Sequence, residues 1–283
     1  MEYAKVGSGQ MTLLIIGTIL MIVVPLVIAI VWTKKKKEKF TTVLVGAAAF
    51  LLFAIILEKT IQNVLIVPTQ MGLSEHAASR FINARPVLWA FLVGLFPGVF
   101  EETGRLIAFK TVLKKRKNRE TSISYGIGHG GFEVMMILGL TFITYIIYAV
   151  MINTGSFGDI VAQATAIAPG QEGQFKELAT QLAAFSAGDL LLMVVERIWA
   201  VLFHIGASIL VFYACRDRKK FWLYPLAILL HTLIDGIAGL NLAGVISLSS
   251  WAFEAIAIVG GSLTFFGAYF LLYKKDTEKG VAE

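Results

Sequence analysis

One cysteine, Cys215, stands in 283 residues, which excludes an intramolecular disulfide and any metal site built from several thiolates. Charge is equally scarce: Lys, Arg, Asp and Glu make up 16% of the chain, while 57% is hydrophobic and the mean hydropathy is +0.75. Soluble domains carry roughly 25% charged residues, so this composition excludes a soluble globular protein and defines a polytopic membrane protein. Neither a soluble domain, nor a low-complexity segment, nor a convincing repeat interrupts it. The net charge of +6 falls in short blocks between apolar runs, which marks topology and not a nucleic-acid surface. Cys215, at the edge of a run, reads as a packing residue, with lipidation as the alternative.

Seven apolar runs, near 11–33, 41–58, 86–109, 121–151, 189–215, 222–244 and 249–273, are each long enough to cross a hydrocarbon core of about 30 Å as helix. The expected fold is therefore an all-α membrane protein of about seven transmembrane helices, a single integral-membrane domain over 1–283. The blocks "KKKKEK", "KKRKNR", "RDRKK" and "KK" follow the first, third, fifth and seventh runs. By the positive-inside rule all four are cytoplasmic, which predicts an N-terminus outside and a C-terminus inside. The outer connectors, about 59–85 and 152–188, are correspondingly poor in Lys and Arg. The first run has no basic n-region and no small-residue cleavage site, and reads as a retained helix. In the second connector Phe175, Leu178, Leu182 and Phe185 share a helical face. That stripe predicts a short helix on the membrane or capping the bundle, with packing preferred over a gate.

Against that background "GVFEETGRLIAFK" places Glu101, Glu102 and Arg105 inside a span, where each charge costs about 2.5 to 3.5 kcal/mol at mid-bilayer. At about 1.5 Å per residue the two acids lie roughly 12 to 14 Å from the basic boundary. His129 lies at similar depth on the next span, with Glu133 one turn deeper. His204 and the pair His231 and Asp235 occupy the fifth and sixth spans. Glu102 and His129 are 27 residues apart across one basic turn, and His204 and His231 are 27 apart across another. Four helices thus deliver polar groups to one level. Glu101 with Arg105, His129 with Glu133, and His231 with Asp235 are i, i+4 pairs that share a face. On this spacing Arg105 is expected to compensate Glu101, leaving Glu102 to find a partner on another helix, with His129 the first candidate. Taken singly, each residue is as well explained by an interhelical hydrogen bond or internal ion pair. His76, in an outer connector, reads as solvated, and Asp189, Glu196, Arg197 and Glu254 read as span-edge charges.

Glu and His together can take a proton from water, and a further His or Asp can hold or protonate a leaving group. The glycines at 126, 128, 130 and 131 permit tight helix packing or the approach of a peptide backbone. The same polar groups suit zinc, through His129, His204, His231 and Glu102.

"EETGR", "YGIGH" and "HTLID" resemble the signature of the CAAX-protease and bacteriocin-processing (CPBP, or Abi) superfamily of intramembrane proteases. "GIGHGGFE" with His204 resembles the YhfC family within it, and the spacing of the basic residue is similar to PrsW-type proteases. The resemblance covers roughly 86–240, a protease-like helical core. It implies that Glu101 or Glu102 activates water with His129, that Arg105 is the basic partner, and that His231 and Asp235 position or polarise the scissile carbonyl. His204 competes for the last role, because Asp235 replaces an amide found in some members. The expectation is an intramembrane endopeptidase of a bacterial plasma membrane, multi-pass, acting on a membrane protein or lipidated peptide in the bilayer, with no nucleic-acid partner. A metal-free glutamic mechanism is favoured, zinc is the alternative, and a proton- or ion-coupled transporter or a non-catalytic scaffold are the readings from other classes.

Overall fold

The computed structural model describes residues 3–167 and 170–276, and among these every regular element is helical. Helices α1 (Ser8–Lys36), α2 (Phe40–Ile66), α4 (Pro86–Lys110), α5 (Glu120–Thr154), α8 (Ala187–Arg216), α9 (Arg218–Leu242) and α10 (Ser250–Tyr273) are long and apolar enough to cross a membrane. The short helices α3 (Ala77–Asn83), α6 (Phe157–Ile167) and α7 (Glu172–Ala184) fill the two long connectors.

The second span is longer than its apolar run. Glu58 and Lys59 read as its end, yet the helix continues through them to Ile66 after a π-helical stretch, Leu51–Glu58. The charge is accommodated because Lys59 Nζ lies 3.2 Å from Glu58 Oε1 and donates to Gln62 Oε1 at 3.1 Å. Glu58 itself is 1% exposed. The extension also changes the reading of His76, which is not merely solvated. Its Nδ1 accepts from Ser79 N at 3.1 Å, closing a capping box on α3, and its Nε2 donates to the carbonyl of Val64 at 2.8 Å.

By internal contacts the chain divides into two compact units. The smaller takes in 1–27 and 133–195. There Asn153 pairs with the backbone of Val6 in both directions, at 2.9 and 2.8 Å. The expected stripe on α7 is used for packing: Leu182 is buried, Phe175 meets Phe157, and Phe185 meets Phe142. Asp189 caps the start of α8 by accepting from Ser186 N at 2.9 Å.

The larger unit takes in 28–132 and 196–283 and is held by small-residue seams, the means by which helices approach without a hydrophobic drive in lipid. Along α4, Ala90, Gly94 and Gly98 recur every four residues and face Thr232, Gly236 and Gly239 of α9. A Cβ on Gly98 would stand 2.9 Å from the carbonyl of Ile228, and one on Gly239 would stand 2.9 Å from that of Ala90. On α5, Gly126 lies against Ile205 and Gly130 against Val201 and His204 of α8, while Gly128 lies against Val43 of α2. At these three positions the glycines serve helix packing. In the same unit Arg197 pairs with its neighbour Glu196, and Glu254 is buried.

Candidate active site

The seams decide which side chains meet. Because α4 and α9 run in backbone contact at Gly94 and Gly98, the next turn of α4 carries Glu101 and Glu102 towards His231. Gly126 and Gly130 likewise bring His129 of α5 onto His204 of α8, with ring centroids 4.8 Å apart. The rings of His204 and His231 are 5.4 Å apart. Phe50 packs edge-on against His129, and Phe203 against both His204 and His231. Glu102, Arg105 and His129 are fully buried, and Glu101, His204 and His231 nearly so. Asp235 is the open edge, with a side chain 36% exposed.

The two acids of α4 divide their partners in the reverse of the expected way. Arg105 forms its ion pair with Glu102, not Glu101, using the i, i+3 spacing. Glu101, about a hundred degrees further round the helix, faces α5, where Nε2 of His129 lies 2.8 Å from its Oε2. Both i, i+3 and i, i+4 partners lie on the same face, so spacing alone does not choose between them. The choice is made by α9: Nδ1 of His231 donates to Glu102 Oε1 at 2.9 Å, fixing that carboxylate beside the guanidinium.

Three donor groups converge, for atoms of Glu101, His204 and His231 all lie within 4.8 Å of one another. This differs from the zinc set expected above. Glu101 takes the place of Glu102, which is held by Arg105 and His231. His129 stands behind, bonded to Glu101. Two histidines and a carboxylate are a donor set that suits a catalytic zinc ion. Local geometry fits as well. With Nδ1–H given to Glu102, His231 presents the lone pair of Nε2, the arrangement by which carboxylates orient metal-binding imidazoles. That nitrogen faces two carboxylates, Asp235 Oδ2 at 3.4 Å and Glu101 Oε2 at 4.0 Å. The two anions opposite that nitrogen are met either by a second proton on His231 or by a cation between them. His204 Nδ1 accepts from Arg105 Nη2 at 3.3 Å and stands 3.9 Å from Glu101 Oε2, so it would bind an ion only by giving up its bond to the guanidinium. The i, i+4 pair of His231 and Asp235 is thus a direct contact, whereas Glu133 belongs to the smaller unit.

Two residues join the centre that charge patterning did not single out. Tyr125, one turn before His129, stacks on its ring with centroids 6.0 Å apart. Glu58 lies within electrostatic reach of His231 and Asp235. Its signal was present, a carboxylate at the end of an apolar run, but the neighbouring lysine disguised it as a boundary.

Two buried histidines and a carboxylate in a helical membrane protein make a donor set of the kind that catalytic metal centres use. The chain is a member of the YhfC intramembrane metalloprotease family, whose model matches residues 20–257. It is 30% identical over 234 residues to the uncharacterized membrane protein YhfC of Bacillus subtilis (strain 168), covering 81% of this chain and 83% of that protein. No solved structure matches it.

Proposed function

We propose that the protein is a metal-dependent endopeptidase that hydrolyses a peptide bond of a membrane-embedded or membrane-proximal substrate, a membrane protein or a lipidated peptide. The observation that carries this reading is the position of His231 Nε2, facing Glu101 and Asp235 while Nδ1 is tied to Glu102. Glu101, His204 and His231 would hold the ion. A bound zinc ion supplies a polarised water and a Lewis acid for the scissile carbonyl. The remaining roles fall to this chain's own groups. Glu102, neutralised by Arg105, fixes the tautomer of His231. His129 orients Glu101. Asp235, at the exposed edge, takes a proton from the attacking water and returns it to the amine nitrogen as the C–N bond breaks. Resemblance to the CPBP superfamily, cytoplasmic basic loops and a plasma-membrane location belong to the same reading.

The 2.8 Å contact of Glu101 with His129 supports a second reading, in which this pair activates water without metal. Comparison of the membrane proteomes of wild-type and Glu101→Gln cells identifies an accumulating precursor as substrate. Cleavage of that precursor by purified protein is expected to stop with a chelator and to return with zinc. Chelator-resistant cleavage, lost in Glu101→Gln, selects the metal-free mechanism. Retention of cleavage in Glu101→Gln, His204→Ala and His231→Ala overturns both.

A further inference from the structure

Most polar atoms of the centre are engaged with one another, and the hydroxyl of Tyr125 is an exception. The side chain is fully buried and its oxygen has no hydrogen-bond partner. The ring is fixed by His129 on one side and by Phe109, with centroids 4.8 Å apart, on another. Arg105 Cζ lies 5.9 Å from its centroid, and the hydroxyl is within electrostatic reach of Arg105, Glu102 and Glu101. Leaving a buried hydroxyl unpaired is costly. Phenylalanine would fill the same space without that cost, so packing explains the ring and leaves the oxygen unexplained.

The same neighbourhood holds other buried atoms without a hydrogen-bond partner: Glu102 Oε2, Arg105 Nε and His129 Nδ1. Their capacities are complementary. Arg105 Nε–H only donates, Glu102 Oε2 accepts, His129 Nδ1 accepts while Nε2–H serves Glu101, and a phenol does both. A buried water needs two to four such partners. A fully buried side chain among α4, α5 and α8 is out of a peptide's reach, so the partner suited to these atoms is one as small as water.

We propose that the Tyr125 hydroxyl, with the free atoms of Glu102, Arg105 and His129, binds an internal water that supplies the hydrolytic reagent from behind the centre. This rests on the peptidase reading above. A substrate lying along the Asp235 edge shuts out bulk water from that side, so a site on the far side of Glu101 keeps the reagent at hand. The water oxygen bonds to the carbonyl carbon, the C–N bond breaks, one water proton ends on the amine nitrogen, and the other is on the new carboxyl group.

Difference infrared spectroscopy of the purified protein in ordinary and oxygen-labelled water tests the site without need of a substrate. A buried-water O–H band that shifts with the label is expected in the wild type and absent from Tyr125→Phe. Thermal stability of Tyr125→Phe should be equal or slightly lower, since the hydroxyl's bond to the water is lost with it. On the precursor, kcat is expected to fall about tenfold or more with KM unchanged. An identical band in Tyr125→Phe overturns the proposal whatever the activity shows. Wild-type kcat in Tyr125→Phe does the same while Glu101→Gln is inactive. Should the band vanish from Tyr125→Phe while Glu101→Gln, His204→Ala and His231→Ala all leave the precursor cleaved as in wild type, the water site stands and the proposed peptidase centre falls.

Discussion

Arg105 has no exposed surface, and its charge is balanced within the protein by Glu102. Breaking one partner of such a buried pair leaves an uncompensated charge and costs about 3 to 5 kcal/mol, while replacing both by apolar residues of similar volume is far milder. Arg105→Met and Glu102→Leu are therefore each expected to lower the melting temperature in detergent sharply. The double variant should recover much of the loss. It should remain inactive, because His231 would then have no carboxylate on Nδ1 to orient it. Equal stability in the single and double variants would show that the pair is not coupled. His76→Ala provides the contrasting case: loss of a helix cap costs about 1 kcal/mol, so melting should fall by a few degrees and catalysis should not change. At this scale the identities of the polar residues were legible, because charge is conspicuous in an apolar chain. Their pairing was not, since the i, i+3 and i, i+4 spacings of Arg105 are equally good until His231 arrives from a helix 129 residues away.

The helices themselves were legible from the length of apolar runs, and the basic blocks marked where four of them end. The exception is instructive. A Glu and Lys in succession at 58 and 59 look like a solvated boundary, but a lysine can extend its ammonium outward while its neighbour's carboxylate stays buried. Only tertiary packing distinguishes the two. Glycine placement is a second feature that the sequence displays without explaining. Gly94 and Gly98 carry no chemistry, yet they set the distance from α4 to α9 and hence from Glu102 to His231. Gly98→Leu is expected to destabilise by about 1 to 3 kcal/mol through overpacking and to abolish activity by parting the two helices. Zinc affinity measured by competition with a chromogenic chelator should drop in parallel, because His231 and Glu101 sit on opposite sides of that seam. By contrast Gly267→Leu, where an added Cβ meets nothing within 4 Å, should leave both unchanged. A Gly98→Leu protein with wild-type zinc affinity would show that the seam does not govern the site.

On the scale of the whole molecule, the centre lies nearer the ends of α4, α5 and α8 next to Lys110, Arg119 and Arg216 than the opposite ends, while His231 sits midway along α9. Its sidedness follows from the orientation of the chain, which the positive-inside rule predicts from those same residues. Replacing the lone cysteine by Cys215→Ser gives a background in which single cysteines report each side. Lys35→Cys and Lys117→Cys, both at exposed positions in basic segments, are expected to resist a membrane-impermeant thiol reagent in intact cells and to react after lysis. Gln70→Cys, at an exposed position in the first long connector, should react in intact cells. The reverse pattern would invert the protein and place the centre in the outer half of the bilayer. With the basic ends inside, a bond cut at the level of Glu101 lies in the cytoplasmic half, so the product freed by hydrolysis should be recovered from the cytosolic fraction when the precursor is followed in a pulse-chase experiment.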